Sequence, residues 1–290
     1  MELKKWHVFL SVAKYGNFTK AGEELGYTQS GITQMMKALE REVGFPLFHK
    51  TNHGIFLTSE GNALFPFIRS LIAADDSLKQ EISFLSGAKK GTLKIATYTS
   101  CAIHWIPKII REFQKKNPEI LFEIMEGHEN EIADWVMNYQ ADIGFTSYRK
   151  NHPADFIPVH QDKMYAILPK DHPFTEYEEI PIEWFEGVPF IICEFTYTSD
   201  VHQILKKHHI HPDIKYTTYN DISVLSMVEH KLGLSILPEL VFRGHVGDFE
   251  VRPLKPDIYR TLGMVVHPSH DWSPAMKIFI KYAKSYLLED

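Results

Sequence analysis

The apolar positions of this chain follow a helical period up to about residue 86 and then break into short alternating runs. In residues 3–14, Trp6, Phe9, Leu10 and Ala13 form one stripe of a first helix. Phe18, Ala21 and Leu25 recur at i, i+3 and i+7, which predicts a short second helix stopped by Gly26. Thr28 is placed to cap a third helix with Ile32, Met36 and Leu39 inward and Gln29, Ser30, Thr33, Gln34 and Lys37 outward. Beyond Gly44 and Pro46, residues 47–58 read as a hairpin with a polar and cationic tip. From Ser59 to about Ser86, Leu64, Ile68, Leu71, Asp75, Leu78, Ile82 and Leu85 alternate at spacings of four and three. That is a heptad seam on one long helix, interrupted once by Asp75, with a bend expected at Pro66. An ordinary amphipathic helix packed on its own domain is the plainer reading of the same row. Residues 87–91 read as a linker that leaves the next domain free to rotate.

From Leu93 onward the period changes. Short strands are predicted at Leu93–Ala96, Ile120–Glu126 and Ala141–Ser147, separated by a helix carrying Ile103, Ile106, Ile110 and Phe113 and another at Glu131–Asn138. A second unit begins at Met164–Pro169. It continues with strands at Phe190–Cys193, Ile214–Thr217 and Leu234–Pro238 and helices at Asp200–His208 and Ile222–Lys231. Leu262–His267 returns, and Ala275–Leu288 closes the chain. Strands alternating with helices at this spacing predict parallel α/β layers, and the late return strand implies two crossovers between two lobes.

Helix, turn, helix and wing make a DNA-reading module. Its exposed amides suit base edges, and its hydroxyls and lysine suit the phosphate backbone. Thr28, Gln29, Ser30, Thr33, Gln34 and Lys37 are the candidate contacts, with His49 and Lys50 from the wing. The net charge of −6 is unevenly distributed: residues 1–90 hold 11 Lys and Arg against 9 Asp and Glu, and residues 91–290 hold 20 against 28. A DNA module needs positive charge at the phosphates, not over the whole chain.

Two cysteines in 290 residues do not make a disulfide framework, and no leader pattern or membrane-length apolar run stands out, so a cytoplasmic protein is expected. The run Lys206–His211 is rich in histidine but lacks ligands at metal spacing; a solvated helix end is the alternative. Neither a cofactor motif nor a catalytic constellation is found, so no enzyme and no cofactor are expected.

Phe9, Ala13, Gly16, Phe18, Thr19, Ala21, Leu25, Gln29, Ser30, Leu39, Glu40, Gly44, Leu47, Phe48, Leu57, Thr58 and Gly61 stand in an unbroken pattern that resembles the LysR family of bacterial transcriptional regulators. Asn17, Gly22, Thr33 and Lys50 depart from it, standing where the family usually has serine, alanine, serine and arginine. Lys50 keeps the charge but loses the bidentate fork. Further along, A-D-I-G (141–144), L-P-K-D-H-P-F (168–174) and G-L-S-I-L-P (233–238) match the family's effector domains.

The resemblance implies an α/β protein with an N-terminal winged helix-turn-helix (1–58), a long dimerisation helix (59–87) and a bilobal, periplasmic-binding-protein-like effector-binding domain (88–290). Lobe I would span about 91–162 and 267–290, and lobe II about 163–266. It also implies a homodimer or homotetramer on pseudo-palindromic promoter DNA, with no membrane partner. A solute-binding module and an enzyme on the same lobes are the competing readings; the fused DNA module opposes the first, and the missing catalytic constellation the second.

In open α/β sheets ligands sit beyond the carboxyl ends of strands. Tyr98, Thr99, Ser100 and Cys101 follow the first strand, Thr146 and Ser147 the third, and Tyr197 and Thr198 precede a helix of the second lobe. Two readings stand for these hydroxyls: an inter-lobe site for a small polar, anionic effector, or routine helix capping. Glu126 and His128 border the same place, as ligands or as rim. Cys101, at a helix start, is either a sensing thiol or a wall residue.

Overall fold

The computed structural model describes residues 2–150, 153–193, 199–269 and 272–289. Three helices open it, α1 (Leu3–Tyr15), α2 (Phe18–Leu25) and α3 (Gln29–Val43), followed by the hairpin of β1 (Phe48–Thr51) and β2 (Gly54–Leu57). Asn17 caps α2 by accepting from the N–H groups of Thr19 and Lys20, and Thr28 caps α3 by accepting from Gly31. Ile32, Met36 and Leu39 are the buried face of α3, as their spacing predicts. In α1 the buried apolar residues are Trp6, Val8, Phe9 and Val12, while Leu10 and Ala13 are only half-buried. This helix packs on α2, α3 and the helix after the wing, so its inward face is wider than the expected stripe.

The long helix α4 (Ser59–Leu85) runs unbroken through Pro66. Its heptad row divides. Leu64 and Ile68, joined by Ile72, pack into the core of the DNA module, whereas Leu71, Leu78, Ile82 and Leu85 are exposed, as is Phe67. The segment expected to act as a free linker is instead tied back. The Lys90 N–H donates to Ser83 Oγ at 2.9 Å, Gln80 Nε2 donates to the Thr92 carbonyl at 3.2 Å, and Phe84 packs on the core of the first lobe.

The first lobe is built from β3 (Gly91–Thr97), α5 (Thr99–His104), α6 (Ile106–Gln114), β4 (Ile120–Glu126), α7 (Glu129–Met137) and β5 (Ile143–Ser147). The single helix expected after β3 is two, broken at Trp105 with Pro107 in the first turn of α6. Ile103 is therefore exposed, while Ile106, Ile109 and Phe113 are buried. The A-D-I-G segment has a packing reason: Asp142 accepts from the Lys94 N–H at 2.8 Å, and a Cβ on Gly144 would lie 2.5 Å from Ile132 Cγ2 and Val265 Cγ2.

Next come β6 (Asp155–Pro169), β7 (Ile180–Pro181), β8 (Pro189–Cys193), α8 (Asp200–His208), β9 (Asp213–Thr218), α9 (Asp221–Glu229), β10 (Ser235–Pro238), α10 (Glu239–Phe242), β11 (Phe249–Lys255), β12 (Tyr259–Val266) and α11 (Pro274–Glu289). The main sheet is mixed, not parallel. Strand β3 pairs parallel with β4 and β5, but β12 is antiparallel to β5 and β6, and β10 and β11 are antiparallel to β6. Strands β8 and β9 form a separate parallel pair.

Strands β6 and β12 are the two crossovers. Residues 155–163 of β6 pair with β12, and residues 164–169 pair with β10 and β11 in the second lobe. The strand starts at Asp155 rather than Met164. Residues 262–266 of β12 pair with β5, so the chain re-enters lobe I earlier than the expected residue 267. Ile95, Phe113, Phe145 and Phe279 lie in the core of lobe I, and Met164, Phe185, Phe190 and Ile236 in that of lobe II. Among the described residues no helix is long and apolar enough to cross a membrane.

Candidate DNA interface and effector cleft

The amino-terminal half of α3 and the wing form one exposed face. Thr28, Gln29, Ser30, Gln34, Lys37, His49 and Lys50 are exposed, and Thr33 is half-buried. Three of these hydroxyls already serve the helix. Thr28 Oγ1 accepts from Gly31 and lies 3.1 Å from Ser30 Oγ, while Thr33 Oγ1 donates to the Gln29 carbonyl at 2.9 Å and accepts from Gln29 Nε2 at 3.0 Å. Gln34 and Lys37 extend from the same helix. Arg41, four residues after Lys37, continues that stripe; it is exposed and donates Nε to the Lys37 carbonyl at 3.2 Å. It lies outside the expected contacts, although the pattern of outward positions runs on to it.

The wing is held in place from α3. Glu40 accepts from the N–H groups of Leu47 and Phe48 at 2.8 and 3.2 Å, fixing the chain as it enters β1. On the hairpin, His49 stacks against its cross-strand partner Phe56, with ring centroids 6.0 Å apart.

Between the lobes lies a cavity of about 430 Å³. Lobe I contributes Tyr98, Thr99, Ser100, Ile103, Glu126, His128, Glu129 and Glu131, lobe II contributes Cys193, Ser199, Asp200, Tyr219, Asp221 and the apolar Ile222, Leu237, Pro238 and Val241, and the return strand β12 contributes Arg260. The N-cap of α5 is Tyr98, with no side-chain capping bond, so Thr99 and Ser100 are not capping that helix. Ser199 does cap α8, accepting from the His202 N–H.

Not every expected residue reaches the cavity. Thr146 and Ser147 are buried in β5 and do not line it, and Ser147 donates to Asp200 at 2.7 Å. Cys101 is also buried off the wall. Burial pushes its thiol up to about 12, the reverse of the effect expected of a helix start. Tyr197 and Thr198 lie outside the described residues.

The cleft floor is an ion network that no local motif announces. Asp200, in the first turn of α8, pairs with Arg149 at 2.7 Å and with Arg260 at 3.3 Å. Arg149 also pairs with Glu129, which accepts from the Tyr98 hydroxyl at 3.1 Å. Arg260 donates Nε to Asp162, its cross-strand partner, at 2.9 Å, and its Nη2 lies 2.8 Å from the same carboxylate as an ion pair. Burial acts to raise the Asp200 carboxyl, but Arg260 and Arg149 outweigh it and hold the group below its ordinary value. Burial alone works against both guanidinium charges, yet for Arg149 the charges of Asp200 and Glu129, and for Arg260 those of Asp162 and Asp200, outweigh it and raise them.

Every guanidinium at this floor is therefore already matched by carboxylates. The expectation of an anionic effector rests on the first turn of α5, and that helix is only six residues long. The charge around it is predominantly negative.

A wing and recognition helix joined by a long helix to two lobes around a closed-floored cleft define a DNA-binding regulator with a ligand-binding domain. Residues 3–62 match the model of the bacterial regulatory helix-turn-helix protein, lysR family, and residues 86–288 match that of the LysR substrate binding domain. The chain belongs to the LysR family of transcriptional regulators. An uncharacterized HTH-type transcriptional regulator, YvbU of Bacillus subtilis (strain 168), is 30% identical over 98% of both chains. Full-length CbnR complexed with its target DNA superposes with a TM-score of 0.69 at 17% identity, covering 99% of this chain and all of that one. The effector binding domain of QuiR in complex with shikimate gives 0.64 at 21% identity, covering 69% of this chain and 98% of that one.

Proposed function

We propose that this protein regulates transcription from the cytoplasm as a homodimer or homotetramer, and that a small effector seated between the lobes sets how its paired DNA modules meet a pseudo-palindromic promoter site. The observation that carries the proposal is Asp200. It belongs to lobe II, yet it is held by Ser147 and Arg149 at the end of β5 and by Arg260 on the crossover strand. A ligand in the adjoining cavity changes the relative free energy of the lobe arrangements to the extent that it binds one better than the other.

On the DNA side, Gln29 and Gln34 read base edges, while Lys37, Arg41 and Lys50 hold phosphates. Thr28, Ser30, Thr33 and His49 shape the surface between them. The role of Gln29 requires its amide to leave Thr33 for a base, which is a rotamer change at an exposed site. The exposed half of the α4 row supplies the contact between copies.

The test is a metabolite screen on the full chain by thermal shift, followed by DNA binding with each hit. A compound that binds the native state raises its apparent stability by mass action. A hit should alter the footprint on the promoter of an adjacent gene, and Ser100→Trp should abolish its binding. Hits that bind Ser100→Trp unchanged would remove the cleft from the proposal.

A further inference from the structure

The charge on the cleft walls bears on the chemistry of the ligand, given the reading that the cleft is the effector site. We propose that the effector is a small organic cation, an ammonium group on an apolar body, with the ammonium seated against Asp221.

Two arginines stand nearest the cavity, and Arg260 lines it, but the charge of each is already matched by carboxylates. Arg260 gives Nε to Asp162 and Nη1 to Asp200 and forms an ion pair with Asp162 through Nη2, and Arg149 is held between Asp200 and Glu129. No lysine lines the cavity among the described residues, and the sequence of residues 194–198 contains neither lysine nor arginine. Carboxylates, by contrast, stand on both walls. Glu126 and Glu131 face from lobe I, and Asp221 faces from lobe II. An anion entering here meets an excess of negative charge and would have to displace Asp200 to gain an arginine.

Asp221 is the group that asks for a cation. An aspartate in the first turn of a helix is ordinarily favoured by the free N–H groups there. Here the Cys193 thiol, a weak donor, is the side chain that acts to lower the carboxyl's pKa most, and no Lys or Arg forms an ion pair with it among the described residues. Burial raises its pKa despite the Cys193 thiol and the charge of Arg260, which act the other way, so the charged form is only partly compensated. A ligand ammonium supplies that compensation as a charge-assisted hydrogen bond. Ile222, Leu237, Pro238 and Val241 give the rest of the ligand an apolar bed, and Ile103 faces them from lobe I. A cavity of about 430 Å³ suits a molecule of about the size of an aromatic amine.

The experiment uses the full chain and a matched series: 2-phenylethylamine, the neutral 2-phenylethanol and the anionic 3-phenylpropionate, each at millimolar concentration, with several aliphatic primary amines beside them. Thermal shift and calorimetry should show stabilisation by amines, little by the alcohol and none by the acid. Asp221→Asn should weaken amine binding by about tenfold or more, the cost of one lost charge-assisted bond. Ile103→Trp, which fills the cavity from an exposed position, should abolish it. If no amine binds, or amines bind Asp221→Asn as tightly, the cation proposal is overturned. If the acid binds and Ile103→Trp removes that binding, the cleft stands and only the charge class falls. Binding that survives Ile103→Trp overturns the cleft itself.

Discussion

Arg149 and Asp200 meet at 2.7 Å across the cleft, the arginine just beyond β5 and the aspartate in the first turn of α8. Asp200 also answers Arg260, so one carboxylate balances two largely buried guanidiniums. Asp200→Ala leaves both underpaired and should cost about 3–5 kcal/mol, because a buried pair broken on one side leaves an uncompensated charge. The pH dependence comes from its depressed pKa. Its stabilisation is complete above the unfolded carboxylate value of about 3.9 and is lost as pH falls through the lower folded value. Urea unfolding of wild type and Asp200→Ala at neutral pH and near pH 3 should show the gap narrowing in acid. A gap that is constant with pH would mean that Asp200 contributes through packing alone.

Gly22 departs from the family's usual alanine, and the structure shows why this chain keeps glycine. A Cβ at this position would stand 2.6 Å from the Tyr27 carbonyl oxygen, while the Tyr27 N–H donates to the Gly22 carbonyl at 2.8 Å. The turn between α2 and α3 is thus drawn tight against the helix. Gly22→Ala should destabilise the protein by ~1–3 kcal/mol, the range for forcing an extra carbon into a packed site. It should also weaken DNA binding through the displaced α3. Chemical denaturation gives the first effect and a gel shift the second; an unchanged midpoint would show that the turn relaxes freely.

The DNA module is legible in the sequence because its signals are local. Helix period, caps and stop glycines act within a few residues, and spacing alone identifies Ile32, Met36 and Leu39 as the inward face. The cleft is legible only in part. Thr99 and Ser100 reach it because they follow a strand end, but Thr146 and Ser147 belong to a central strand whose every residue is buried. Only half of strand β6 shows in the pattern, since Asp155–Lys163 mixes polar and apolar residues and buries only Val159 and Asp162. The network of Glu129, Arg149, Asp162, Asp200 and Arg260 cannot be read from local pattern at all. Arg149 and Asp200 are 51 residues apart, and Asp162 and Arg260 are 98 apart, so only the crossover topology brings them together.

The exposed half of α4 makes the oligomer testable. Leu71 is 46% exposed and Leu78 59%, too much apolar surface on one helix to be left in water at working concentration. Leu71→Glu with Leu78→Glu should give monomers and lose binding to paired half-sites, while Leu64 and Ile68, which hold the DNA module together, stay untouched. Light scattering on the full chain is the measurement. An unchanged mass for the double variant would place the interface elsewhere.

Base reading and phosphate holding separate in their salt dependence. Gln29→Ala should cost ~1–3 kcal/mol on the specific site and little on random DNA. Lys50→Ala should weaken all DNA alike and lower the salt slope by about one phosphate contact. Equal losses on specific and random DNA for Gln29→Ala would rule out its proposed role.

Asp221 sets a stability test that needs no ligand. Its carboxyl is raised by burial, so the native state holds that proton more tightly than the unfolded chain does. Between the unfolded value of about 3.9 and the higher folded value the native state binds more protons, and stability falls as pH rises. Above the folded value the loss is complete. Asp221→Asn keeps the shape and an acceptor for the Cys193 thiol but carries no charge, so it escapes this loss. Its melting temperature should exceed that of the wild type at neutral pH. Below about pH 4, where both side chains are neutral, the two should coincide. A protein that gains stability when a cleft carboxylate is neutralised has kept that carboxylate for binding, as stability and function commonly oppose each other at such sites. Melting curves from pH 4 to 8 decide it: a variant no more stable than wild type at neutral pH would show that Asp221 is adequately compensated within the fold and has no need of a ligand's charge.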